Sequence, residues 1–124
     1  MKNTITISAT NIERLFELFF QLAEGCLEGY MPSWQWEVEK TPCGAKYIYF
    51  PYKGTKTLEI HADKAEMTSE AAGIAMTLKA LSHLYLWCEL SASDDIDNVF
   101  QVFHKLRDYV LSHKEQDAIL SFIE

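Results

Sequence analysis

The spacing of apolar residues changes several times between Met1 and Glu124, and each change marks an element. Ile5 and Ile7 alternate with Thr4, Thr6 and Ser8, which predicts a short first strand over residues 4–8. Thr10-Asn11-Ile12-Glu13 then has the form of a capping box, in which a threonine hydroxyl and a glutamate each satisfy an orphaned N–H, so a helix is expected to begin there. Ile12, Leu15, Phe16, Phe19, Leu22, Ala23 and Cys26 share one face at helical spacing, and Gly25 and Gly29 offer places to stop. Leu18 and Phe20 fall off that stripe, which leaves apolar surface on a second side and makes this helix a candidate homodimer surface.

From Trp34 the period becomes two. Trp34, Trp36 and Val38 alternate with Gln35, Glu37 and Glu39; Tyr47 to Tyr52 is rich in β-formers; Leu58 and Ile60 alternate with Thr57, Glu59 and His61. Thr41-Pro42-Cys43-Gly44 and Lys53-Gly54-Thr55-Lys56 are turn signals between these runs. Connections this short allow only antiparallel neighbours, so the runs are read as a meander with residues 46–52 in the centre.

The helical period returns at Ser69, with Thr68 or Ser69 as N-cap and Glu70 near the positive helix end. Residues from Ala71 to Cys88 are apolar nearly all round, which predicts a central, buried helix over 69–90. Ser93 followed by Asp94, Asp95 and Asp97 opens another helix, with Ile96, Val99, Phe100, Phe103, Leu106 and Val110 on one face. Ser112-His113-Lys114-Glu115 repeats the capping-box form ahead of a short last helix. The fold class is therefore α+β, in the order β-α-β-β-β-α-α-α: a small antiparallel meander of three strands, with the N-terminal run as a candidate fourth, packed on helices as a single domain over residues 1–124.

Composition narrows the class. The chain has 124 residues, 48% of them apolar and 23% charged, which describes neither a disordered chain nor a membrane-embedded one. Eighteen acidic residues against 11 basic ones give a formal charge of −7. Nucleic-acid affinity draws on a Lys/Arg surplus, so this balance argues against indiscriminate binding of that kind. Cys26, Cys43 and Cys88 form no CxxC pair, so a reducing compartment is expected rather than a disulfide framework. The N-terminus lacks the apolar block of a signal peptide, and the longest apolar stretch is broken by Lys79 and His83; a cytoplasmic location without membrane contact is expected.

No GxSxG, P-loop or GxGxxG occurs, so no cofactor and no enzyme of those classes is expected. His61-Ala62-Asp63 offers two ligands where a closed metal site needs three or four. Cys26 and Cys88 lie on apolar faces that leave a thiol inert, and nothing near Cys43 in sequence activates it. His104 and Asp108 are spaced to meet on a helix as an ordinary pair.

The outer face of the sheet carries the leading expectation. If Trp34, Trp36, Val38, Leu58 and Ile60 face the helices, then Glu37, Glu39, Glu59 and His61 face solvent, with Tyr47 and Tyr49 between them once Ile48 and Phe50 turn inward. Tyrosines rimmed by carboxylates suit a protein partner. Asp94, Asp95 and Asp97, beside Glu89, form a second negative surface whose other use is to complement a helix N-terminus. The expected function is that of a small, acidic, non-enzymatic intracellular protein that binds a macromolecule, of the inhibitor, adaptor or immunity type, acting on a basic surface of a nucleic-acid enzyme. Two alternatives stay open. Lys40, Lys46, Lys53 and Lys56, interleaved with Tyr47, Tyr49, Phe50 and Tyr52, resemble a single-strand nucleic-acid surface. A small-molecule binder or enzyme would use the sheet face, for instance Glu37 with His61, and would need a concave pocket near His61 or His83.

Overall fold

The computed structural model describes residues 7–60 and 63–123. Its elements are α1 (Ala9–Cys26), β1 (Glu37–Lys40), β2 (Lys46–Tyr49), β3 (Thr55–Ile60), β4 (Asp63–Thr68), α2 (Ser69–Leu90), α3 (Ile96–Val110) and α4 (Gln116–Ile123). The class is α+β, with four helices and four strands among the described residues. Most of the strand expected over 4–8 lies outside the described residues. Ser8, which is described, caps α1 instead: its side chain accepts from Asn11 N and its carbonyl from Ile12 N, so the Thr10 capping box is not the one used.

The expected meander is replaced by two separate hairpins, β1 with β2 and β3 with β4, both antiparallel. The reason lies in α2. Thr77 Oγ1 accepts from Ile48 N at 3.0 Å and donates to Ile48 O at 3.2 Å, so one helix side chain satisfies the backbone groups that a third strand would have taken. Gly73 makes the approach possible, since a Cβ there would lie 2.3 Å from Tyr49 Cβ and 2.6 Å from Ile48 O. With α2 on that edge, β3 turns to residues 63–68 for a partner. The strand over those residues was not expected, because Asp63-Lys64-Ala65-Glu66-Met67-Thr68 places only Met67 fully in the core. The β3–β4 hairpin is tied to the end of α1: Leu27 bridges Leu58, Glu28 N donates to Thr57 O, and the Glu28 carboxylate accepts from Thr57 N at 2.8 Å.

Helix α2 runs through the core and buries a stretch from Ala71 to Leu81 broken only at Lys79, with Leu84 and Cys88 buried beyond it. Its last turns depart from the expectation, since Leu86, Trp87 and Leu90 are exposed. Thr68 is the N-cap. The second capping-box match also resolves differently, because Glu115 accepts from both Thr68 N and Thr68 Oγ1, which pins the start of α4 to the β4–α2 junction. No helix among the described residues is long and apolar enough to cross a membrane.

Candidate functional site

The β1–β2 hairpin turns on Thr41 to Ala45. Thr41 N donates to Ala45 O at 2.7 Å, Thr41 Oγ1 accepts from Ala45 N at 3.1 Å, and Gly44 takes φ 91°. The register sets Glu37 opposite Tyr49 and Glu39 opposite Tyr47, so these four side chains share one face as expected. Tyr49 donates to Glu37 Oε1 at 3.3 Å, and its phenol is raised above the ordinary value by lost hydration first and by Glu37 next.

Tyr47 does not stay outside. Only 5% of it is exposed, and the groups that act on it include Glu70 at the start of α2 and Tyr109 near the end of α3. Its hydroxyl donates to Glu70 Oε2 at 3.5 Å, and burial, followed by Glu70 and Glu39, drives its pKa far up, so it acts as a neutral donor. Glu70 also meets His113 Nε2 at 3.3 Å, while His113 Nδ1 accepts from Glu115 N at 2.9 Å. The backbone donor fixes the tautomer of the neutral ring, so Nε2 carries the proton toward Glu70. This cluster fastens the hairpin to α2 and to the α3–α4 turn. The inward assignment of Trp36 and Val38 is corrected as well: they are 46% and 47% exposed, because the hairpin lies at the margin of the core with α2 beside it rather than beneath it. Trp36 rests on Phe16 and Phe20, with ring centroids 4.9 and 5.9 Å away.

The remaining candidates separate. Glu59 is exposed on β3, in register with Lys64 of β4 in the second hairpin, so it does not flank Tyr47 or Tyr49. His61 lies outside the described residues. Asp94 and Asp97 are exposed, but Asp95 is engaged: its Oδ2 accepts from Ser8 N at 3.0 Å and Asn11 Nδ2 at 2.7 Å, and bonds from Ser8 and then Asn11 hold its carboxyl below the ordinary range. It ties the α2–α3 turn to the start of α1. Sequence reasoning missed Thr77 and Gly73 as sheet-edge residues, and saw Glu70 and Glu115 only as helix-start acids.

Other chemistry finds little support. The single-strand surface needs exposed stacking platforms, yet Tyr47 and Phe50 are buried, Tyr52 donates to Met67 O, and Lys56 lies over the Trp34 and Tyr52 rings. Cys43 is exposed, and its thiol is lowered by Thr41 Oγ1 at 3.1 Å and by Ala45 N–H, a local activation that the sequence reading overlooked. Burial pushes the Cys26 thiol up. His104 lies against Phe100 in a tilted ring contact, centroids 4.2 Å apart, with no hydrogen bond to Asp108 among the described residues. No three His, Cys, Asp or Glu side chains converge as metal ligands among the described residues. His83 borders an open groove of about 400 Å³ with Arg14, Leu18, Trp87 and Leu90, in which the Arg14 guanidinium lies 4.0 Å from the Trp87 ring centroid. Leu18 thus joins the apolar ends of α2, while Phe20 packs into the cluster with Trp36 and Phe50.

Comparison with known proteins adds an independent line. Two proteins of Escherichia coli (strain K12), the uncharacterized proteins YfjX and YafX, are 35% and 34% identical to this chain over 65 residues. These matches take in 52% of this chain and 39% of either relative, so the chain spans about two-fifths of the length of the curated relatives it matches. A solved structure, described as showing that the KlcA and ArdB proteins have "a novel fold and antirestriction activity against Type I DNA restriction systems in vivo but not in vitro", superposes with a TM-score of 0.78 at 26% identity. It covers 93% of this chain and 80% of that one. The family described as antirestriction protein matches residues 33–124, which include both hairpins and the three helices that follow. The chain belongs to the antirestriction protein family.

Proposed function

We propose that this chain inhibits DNA restriction by binding a protein component of a Type I restriction system, without catalysis of its own. Membership of the antirestriction family over residues 33–124 carries this reading. The likeness to the KlcA and ArdB structure, whose activity is described against Type I systems, supports the choice of target. Charge supports the manner of binding. DNA-handling enzymes present basic surfaces to phosphates, and exposed carboxylates are drawn to the same surfaces. Glu37 and Glu39 beside Tyr49, and Asp94 and Asp97 at the start of α3, supply such carboxylates. A target of this kind places the working protein in the cytoplasm.

The test belongs in cells. Unmodified phage is plated on bacteria carrying a Type I system, with and without this chain expressed. Plating efficiency is expected to rise toward that of a restriction-free host. Soluble chain with unchanged plating would overturn the reading.

A further inference from the structure

Strand β1 has one edge in use and one edge open. Thr41 N donates inward to Ala45 O, and alternation along an antiparallel pair then turns Glu39 and Glu37 inward and Val38 and Lys40 outward. The partner strand agrees, because Ile48, opposite Val38, also turns its backbone groups away from the pair, toward Thr77. On β2 that outer edge is closed by α2. On β1 no backbone group among the described residues reaches Val38, and all four strand residues are exposed. The outward N–H of Lys40 donates to its neighbour, Glu39 Oε1, at 3.2 Å, its one acceptor among the described residues.

Open strand edges are normally blunted by proline, a bulge or inward charge. Here β1 is a regular run, Glu37-Val38-Glu39-Lys40. Its two faces differ in chemistry. Glu37 and Glu39 project together on one side, and Val38 continues the apolar stripe of Trp36 on the other. An added strand would meet carboxylates at every second position and apolar side chains between them.

We propose that the free edge of β1 binds an extended segment of a partner protein by antiparallel or parallel strand addition, the segment carrying Lys or Arg at alternate positions opposite Glu37 and Glu39 and apolar residues between them. Main-chain bonds to Val38 supply the docking, and Glu39 leaves the Lys40 N–H for an incoming cation. Charge decides against a second copy of this chain. A two-fold pairing centred on Val38 sets Glu37 against the copy's Glu39, and one centred on Glu39 sets that residue against itself. The inference deepens the proposed function by giving the chemistry of the partner's segment, and it rests on that reading only for the partner's identity.

The experiment is an NMR titration of the isotope-labelled chain with a synthetic peptide alternating lysine with valine or threonine. The Val38 amide is expected to shift and to gain protection from hydrogen exchange, and replacing the lysines by glutamate is expected to weaken binding roughly tenfold or more. Val38→Pro removes only an outward N–H, so the β1–β2 ladder survives while peptide binding is lost. Should that variant fail to fold, Glu37→Lys with Glu39→Lys serves instead, and its preference should invert to the glutamate peptide. A Val38 amide unmoved at saturation, or a Val38→Pro chain that binds as tightly as the native one, overturns strand addition. So does Val38 protection that grows with protein concentration when peptide is absent, which assigns the edge to a second copy. Phage plating separates the two proposals: a native chain that binds the peptide but gives no protection loses the function and keeps the site. Full protection by folded Val38→Pro does the reverse.

Discussion

The Thr77 hydroxyl lies 3.0 Å from Ile48 N and 3.2 Å from Ile48 O, in a part of the core where neither backbone group has water to fall back on. Thr77→Val keeps the shape of the side chain and removes both bonds. Each orphaned group costs about 1–3 kcal/mol, so a loss of at least ~2 kcal/mol is expected in urea unfolding, with Thr77→Ser recovering most of it. Asp95 makes a different kind of prediction. Its carboxyl is held below the ordinary value of 3.8 by Ser8 and Asn11, so its charged form stabilises the fold at pH values above 3.8, and that contribution fades as pH falls through the lowered value. Urea midpoints of the native chain and Asp95→Asn should therefore differ most near neutrality and converge in acid. A gap that is constant with pH would show that the charge contributes nothing.

Among the elements, the helices and most strands were legible in the sequence, because apolar spacing reports which face is covered. The pairing was not. Alternation in Trp34 to Val38 and Thr57 to His61 says where side chains point, but it carries no information on which edge is hydrogen-bonded to what. Gly73 and Thr77 sit in an otherwise apolar helix, where one reads as a weak spot and the other as a tolerated polar residue; both have meaning only once α2 lies beside β2. The candidate site was legible to the same extent. Glu37 and Glu39 came out on one exposed face, since that follows from period alone. Tyr47 did not, since its cover comes from helices remote in sequence. Asp95 read as a surface acid because its partners, Ser8 and Asn11, are more than eighty residues away. Element α4 is docked through Glu115, which gives two charge-assisted bonds to Thr68. Glu115→Gln should cost about 1–3 kcal/mol, and hydrogen exchange should show α4 amides opening ahead of those of α2.

Taken together, the formal charge of −7 resolves into separate uses. Asp95, Glu70, Glu28 and Glu115 hold the fold, whereas Glu37, Glu39, Asp94 and Asp97 are left on the surface. Reversing Glu37 and Glu39 to lysine should therefore leave the unfolding midpoint nearly unchanged while lowering phage protection in cells; a variant that protects fully would remove this surface from the function. The arrangement of α2 against β2 also bears on the order in which the chain acquires its structure. A lone two-stranded hairpin is marginal in water, and here the outer edge of β2 is completed by residues 29 positions later rather than by a neighbouring strand. Closing that loop costs entropy that the β1–β2 ladder cannot offset until α2 is in place. Stopped-flow measurements on Thr77→Val should accordingly show the loss mainly as faster unfolding, with refolding little changed. The hairpin that offers its edge to a partner would then be among the last parts to form and the first to open.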